Sequence, residues 1–298
     1  MTKFVELLVD GVSLGFIYAL IALGFAVIFK GTEVVNFAHG SVLLAGGYTV
    51  ARLQGTFGFG PAFAAGIVVA AVLAVVIERL LIRPLHRRGA APDAMVILTI
   101  GVDIMLLTDL TRRIGTNVYG IGGPWGNSVV RAGVFILPEA RLWAIIAALI
   151  LMGAFFAVFK FSGWGVAMRA SAEDGEAAAL MGIKRGRVAA LSWLIAGGLA
   201  AVAGVFLTSF PSPGLDNTTG LAALKAFPAA ILGGLDSTTG AVAGGLVIGL
   251  AETFASGYES HIMFLGRGIG SVMPWIVMLL VLLIRPSGLF GTKAATRV

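Results

Sequence analysis

The sequence contains no cysteine, so disulfide bonds and thiolate metal sites are excluded. It is also poor in charge, because only 12% of its 298 residues are Asp, Glu, Lys or Arg, whereas soluble domains carry roughly 25%. The hydrophobic residues, 58% of the total, form recurring apolar runs. Runs of about 20 such residues are long enough to cross a bilayer as helices. The composition therefore predicts a membrane protein.

Motifs for nucleotide, metal and catalytic sites are also missing. The sequence has no G-x-x-x-x-G-K-[ST] phosphate loop, and its three histidines lack the spacing of a metal site. The stretch Gly11-Val12-Ser13-Leu14-Gly15 matches the G-x-S-x-G pattern of serine hydrolases. It lies in an apolar helical run, however, and not in the strand–turn–helix setting that this pattern requires. We expect no enzymatic activity and no metal or cofactor bound by this chain.

The apolar runs predict an all-α, polytopic membrane helix bundle that forms a single transmembrane domain over residues 1–298. We expect about eight or nine membrane segments. Six of them are apolar and nearly uninterrupted, and lie at about Phe4–Phe29, Pro61–Ile82, Ala94–Leu110, Leu142–Phe159, Val188–Phe210 and Ile269–Ile284. The N-terminal stretch is interpreted as the start of the first span and not as a signal peptide.

Two further regions, 36–50 and 221–254, are rich in glycine and interrupted by polar residues. They lie in opposite halves of the chain, which suggests an internal pseudo-repeat with broken or re-entrant helices along a translocation path. Close helix packing through the pairs Gly240/Gly244 and Gly245/Gly249 is the alternative. Both interpretations stay open at this point.

Basic residues cluster beside the spans, although the net charge of +6 could also suggest nucleic-acid binding. The positions next to spans are typical of cytoplasmic loops, so no nucleic-acid partner is expected. With 83–93 and 160–187 inside, the N-terminus lies outside and the C-terminus inside. The connection 111–141 would then be external despite its four arginines. The two clusters consist of Arg79, Arg83, Arg87 and Arg88, and of Lys160, Arg169, Lys184, Arg185 and Arg187.

The polar loop at about 164–187 is predicted to form a helix over 171–182. Ser171 is expected to cap it, with Asp174 completing a variant of the capping box. Acidic residues follow at its start, where they suit the helix dipole, and Gly182 ends it. A helix this short needs a partner surface or the membrane surface to stabilise it. The residues that we assign to this loop helix are Ser171, Glu173, Asp174, Glu176, Ala177, Ala178, Leu180, Met181 and Gly182.

Polar residues within the membrane segments are candidates for the translocation path. A carboxylate at this depth is costly, so Asp103 should face the bundle interior. Hydrogen bonds between helices are the structural alternative for each such residue. The full candidate set is Asn36, His39, Ser41, Asp103, Lys225, Gly233, Gly234 and Glu252.

Several segments together resemble the branched-chain amino acid permease family of ABC importers. They are NFAHGSVLLAGGY (36–48), WGVAMRASAEDGEAAALMGI (164–183), AGGLAAVAGVF (196–206), FPAAILGGLDSTTGAVAGGLVIGLAE (227–252) and RPSGLFG (285–291). Within the second, Glu176-Ala177-Ala178 followed by Gly182 resembles the EAA motif of ABC importers. In that motif's family context, this segment forms the coupling helix that inserts into an ATPase subunit.

The resemblance implies a bacterial inner-membrane importer with several partners. These are a second homologous permease subunit, two ATPase subunits that bind ATP and Mg²⁺, and an extracytoplasmic solute-binding protein. The implied substrates are leucine, isoleucine and valine, although relatives also carry urea or short amides. An ion-coupled secondary transporter without an ATPase is a further alternative from the residues alone.

Overall fold

The computed structural model describes residues 2–125, 128–132, 135–209, 214–261 and 267–292. Its architecture is an all-α bundle, as expected, with one two-stranded antiparallel hairpin in the described residues. The helices are α1 (Thr2–Thr32), α2 (His39–Phe57), α3 (Phe59–Ile77), α4 (Arg83–Arg87), α5 (Pro92–Ile114), α6 (Glu139–Phe161), α7 (Gly163–Glu173), α8 (Gly175–Leu180), α9 (Arg185–Leu207), α10 (Thr219–Leu224), α11 (Phe227–Gly233), α12 (Thr238–Gly257) and α13 (Ile269–Ile284). The hairpin strands are β1 (Val129–Ala132) and β2 (Phe135–Pro138), with Val130 opposite Leu137.

Six helices in the described part of the chain are long and apolar enough to cross a bilayer. They are α1, α3 with its continuation to Arg87, α5, α6, α9 and α12. The α10–α11 pair and α13 are shorter apolar segments. These lengths confirm a multi-pass membrane protein, since helices satisfy their own backbone hydrogen bonds in lipid.

Helices α1 and α9 occupy the centre of the bundle. Every residue from Ala19 to Leu23 in α1 is inaccessible to solvent, and so is Trp193 in α9. Helices α3, α5 and α6 lie at the periphery, where large side chains such as Met105 and Ile150 point outward. Apolar side chains on the outside suit lipid or a partner subunit, whereas the inner face must satisfy its own polar groups.

Glycines on two faces of α12 set its position in the bundle. A Cβ on Gly245 or Gly249 would collide with the backbone of α1, and a Cβ on Gly244 would collide with α11. Without these side chains, the three helices approach with their backbones in contact. The close-packing interpretation of the glycine pairs is therefore confirmed, and α12 is fixed between α1 and α11.

The sequence predicted short, broken segments in the regions 36–50 and 221–254, which correspond to α2, to the α10–α11 pair and to α12. This prediction was wrong for α2 and α12. Helix α2 is continuous for 19 residues and α12 for 20. Glycine marks close packing in both, and the helix is interrupted at Lys225 and Ala226, between α10 and α11, where the sequence has no glycine. That break has a covalent cause: Pro228 has no N–H to bond the carbonyl of Leu224, whereas proline is well tolerated at the start of a new helix, as in α11.

Another proline explains the irregular end of α3. Residues Glu78–Ile82 form a π-helical turn, in which the N–H of Arg83 bonds the carbonyl of Glu78 five residues earlier. Pro84 follows at once and cannot supply an N–H, so the wider turn accommodates the missing donor. The turn also brings the Arg83 guanidinium onto the buried Glu78 carboxylate at 3.0 Å.

Candidate translocation path and coupling loop

The loop between α6 and α9 folds into two short helices. Asp174 separates them, and its Oδ1 accepts hydrogen bonds from the backbone N–H groups of Glu176 and Ala177, each at 2.9 Å. These bonds satisfy two of the N–H groups that every helix start leaves free. Gly182 adopts a positive φ of 86° after α8, a conformation that favours glycine and turns the chain toward α9.

The capping role predicted for Ser171 is wrong. Ser171 lies inside α7, which is capped by Ser162 through the N–H of Gly165 at 3.1 Å. The single helix over 171–182 is therefore two helices, because Asp174 is extended and its side chain competes for the backbone donors that a continuous helix would use.

One face of α8 is anchored and the other is free. Ala178 is buried, while Leu180 and Met181 are 89% and 84% exposed. The guanidinium of Arg185 packs against Gly175 at the start of α8, where a Cβ would stand 2.8 Å from its Cζ. Two adjacent exposed apolar side chains on an ordered, polar loop form a candidate surface for contact with a partner protein or with the membrane.

Inside the bundle, Glu252 of α12 is the centre of a polar cluster. Its Oε2 accepts a hydrogen bond from the Tyr18 hydroxyl of α1 at 2.7 Å. Its Oε1 pairs with the Lys225 ammonium at 2.7 Å, and Lys225 lies at the break between α10 and α11. Ser271 at the start of α13 is 3.4 Å from the same ammonium. Four helical elements thus contribute to one partly buried charge pair.

The position of Tyr18 along α1 places this cluster within the membrane. Asp10, which pairs with Arg141 at the start of α6, marks the end of the bundle that holds the N-terminus of α1. Lys30, which donates to the Asp236 carbonyl, marks the end near the basic loops. At 1.5 Å per residue, Tyr18 lies about 12 Å from the first and about 18 Å from the second along α1. A charge pair at this depth is costly and typical of a transport path.

A second polar region surrounds the start of α2. His39 is buried with its ring 4.7 Å from that of Phe25, and Phe227 of α11 lies 5.4 Å from the same Phe25 ring. The Nε2 of His39 and the Nδ2 of Asn36 have no hydrogen-bond partner within the described residues. The chain at 33–38, between α1 and α2, is not helical, and non-helical backbone within a membrane is tolerated only where protein or a cavity surrounds it.

Asp103 of α5 faces this region. It accepts a hydrogen bond from the Ser41 hydroxyl at 2.5 Å. One turn earlier on α5, the hydroxyl of Thr99 accepts from the Phe37 N–H at 3.2 Å and is within reach of the Val35 carbonyl at 3.1 Å. Polar side chains of α5 thus hold the segment that enters α2.

The remaining two candidates have a packing role. Gly233 ends α11 in backbone contact with Gly240 of α12, and a Cβ on Gly234 would stand 2.7 Å from the Cα of Gly291. The positive φ of Gly234, 99°, turns the chain between α11 and α12. Their contacts are close approaches at the end of the bundle that holds Lys30, away from the Glu252 cluster.

The structure thus brings six of the eight candidates into polar clusters or buried polar turns, and it adds Tyr18 and Thr99. Nothing in the sequence singled these two out, since Tyr and Thr in apolar runs are usually only packing residues. Within the described ranges, no group of three His, Asp or Glu residues is placed to hold a metal ion.

Comparison with known proteins identifies the family. Residues 7–283 match the model described as "Branched-chain amino acid transport system / permease component". The chain belongs to this family.

The branched-chain amino acid permease LivH of Escherichia coli K12 is 33% identical over 99% of this chain and 98% of its own. BraD of Pseudomonas aeruginosa is also 33% identical, with the same coverage. A probable LivH of Methanocaldococcus jannaschii is 31% identical over 91% of this chain. No solved structure matches this permease.

Proposed function

We propose that this permease is the transmembrane subunit of an ABC importer in a bacterial inner membrane. It forms the path for amino acids with aliphatic side chains, together with a second homologous permease. Two separate ATPase subunits bind ATP and Mg²⁺, and an extracytoplasmic protein delivers the substrate. The names of the relatives support the transport role and the substrate class.

The observation that carries the proposal is the free face of α8. Leu180, the last residue of the six-residue helix α8, and Met181 directly after it project on the side where the basic loops lie. A helix of this length is marginal in water, yet it is held by the Asp174 cap and by Arg185. Apolar tips on a fixed helix can enter a groove of a partner protein, and Glu176 lies exposed beside them.

Co-purification tests the docking. Tagged permease should retain the ATPase, while Glu176→Lys and Leu180→Asp should release it and abolish uptake of labelled leucine. Asp93→Lys is the matched control, because Asp93 is also exposed and lies at the start of α5 beside the basic turn. Full assembly and uptake in the Glu176→Lys variant would refute docking through α8.

The same preparation separates the alternatives. Uptake into liposomes that depends on an ion gradient, with no ATPase present, would indicate a secondary transporter. Uptake of urea or short amides in place of leucine would leave the importer assignment intact and change only its substrate.

A further inference from the structure

The two oxygens of Glu252 are held in different ways. Tyr18, which donates to Oε2, is 2% exposed and belongs to the central helix α1, so this contact is fixed. Lys225, which pairs with Oε1, has a side chain that is 27% exposed. It extends from a helix break and not from a packed helix. One partner of the carboxylate is thus buried in the core, and the other is partly exposed.

The exposed side of Lys225 cannot face lipid without a large cost. Lys225 lies six residues after the start of α10 and eight before the end of α11, so it is near the middle of this short apolar segment. A cation at that depth faces water, a partner protein or a counter-ion. Ser271 beside it is exposed as well. The exposed side of the pair must therefore face water, a polar path or a partner subunit, and not lipid.

We propose that the Lys225–Glu252 pair selects α-amino acid zwitterions, a step that rests on the proposed importer function. The pair opens when substrate arrives. The substrate carboxylate binds the Lys225 ammonium, and the substrate ammonium binds Oε1 of Glu252, while Tyr18 keeps Oε2 in place. The direct contact at 2.7 Å is replaced by two charge-assisted contacts of the same kind.

The exchange is balanced in charge. Before and after it, each ion in the low-dielectric interior has an opposite charge beside it, so no buried charge is left unpaired. Urea or an amide brings no such charges, and an amine or a fatty acid brings only one. Each of these would either leave the pair closed or leave Lys225 or Glu252 without an opposite charge beside it. The cluster thus favours molecules that carry both charges.

The break between α10 and α11 supplies the freedom that the exchange needs. Because Pro228 has no N–H, the carbonyl of Leu224 lacks its helical donor next to Lys225. We expect this carbonyl to be available as a further acceptor for an ammonium group. A continuous helix would hold Lys225 rigidly and would leave no acceptor there.

Uptake of labelled L-leucine by the complete complex in liposomes, with saturating binding protein, tests the proposal. Lys225→Met alone should abolish uptake, although it also strands the buried Glu252. The double variant Lys225→Met/Glu252→Gln avoids that cost by removing both charges. We expect it to assemble and to hydrolyse ATP like wild type, but to import leucine about tenfold more slowly or worse, because two charged contacts are lost.

The matched control is Asp109→Asn/Arg113→Gln, which removes an exposed ion pair of 2.6 Å on α5 and should leave uptake unchanged. Leucine uptake at the wild-type rate by the Lys225/Glu252 double variant would show a purely structural pair and overturn the proposal.

If the double variant does not assemble, Glu252→Asp decides. It keeps both charges but shortens the reach, so unchanged uptake would again contradict the proposal. Failure of wild-type permease to retain an ATPase would instead refute the importer assignment.

Discussion

The backbone contact between α1 and α12 makes a single methyl group a strong perturbation. In Gly245→Ala the new Cβ would stand 2.5 Å from the Ala19 Cα and 2.8 Å from its Cβ, whereas ordinary contact begins at 3.4 Å. Backbone atoms cannot rotate away, so the helices must separate by the difference of 3.4 and 2.5 Å, about 0.9 Å. A gap of that size forfeits roughly a quarter to a half of the dispersion energy of the atom pairs across it.

The expected loss of stability is up to about 2 kcal/mol. Overpacking of this kind costs about 1–3 kcal/mol, and alanine recovers up to about 1 kcal/mol through its better helix propensity. Gly153→Ala in α6 is the control, because a Cβ there meets nothing within 4 Å. It should keep or raise stability by up to about 1 kcal/mol, since only the propensity term applies.

Thermal unfolding in detergent, followed by tryptophan fluorescence, compares the two substitutions. The midpoint should fall for Gly245→Ala and should not fall for Gly153→Ala. Equal midpoints for the two variants would refute the reasoning, since they would mean that α1 and α12 do not touch at this glycine. Gly245→Ala should also lower transport, because the interface between α1 and α12 holds the Tyr18 hydroxyl against the Glu252 carboxylate.

Two further substitutions test the coupling loop and the second polar region. Asp174→Ala removes the cap of α8, a loss of about 1 kcal/mol for the helix, and should weaken ATPase retention in pull-downs; Ser171→Ala should not, and equal retention by both variants would argue against the cap. Asp103→Asn keeps an acceptor for the Ser41 hydroxyl but removes the charge, so leucine uptake should fall more than the amount of protein in the membrane; unchanged uptake would remove Asp103 from the path.

The long spans could be predicted from sequence because length and hydropathy alone decide them. The predicted span Leu142–Phe159, for example, lies within the observed helix Glu139–Phe161. The glycine-rich segments could not be predicted in the same way. A glycine that ends a helix and a glycine that admits another backbone have the same local sequence, and only the neighbour distinguishes them. Gly46 in α2 is of the second kind, since a Cβ there would stand 2.8 Å from that of Ala201.

The site was predictable where burial of charge is expensive. Lys225 and Glu252 were each identified as ions in apolar surroundings, and the structure shows that they are partners. The identity of the partner depends on which helices pack together, which a single sequence does not contain. Tyr18 was missed for this reason. Ser171 and Asp174 were both capping types at suitable spacing, and the choice between them depends on where the chain turns.

The contacts within the bundle also indicate which part would move during transport. Helices α1 and α12 meet through backbone contacts at glycines, and Gly31 of α1 packs onto Ser192 of α9, so these three are expected to shift together. Helix α9 begins at Arg185, which contacts α8, so a displacement of the coupling loop reaches this unit first. The α10–α11 crossing has an interrupted hydrogen-bond ladder and can lag behind. Relative motion at that break would separate Lys225 from Glu252, and ATP-driven displacement of α8 would then open the same pair that the substrate is proposed to enter.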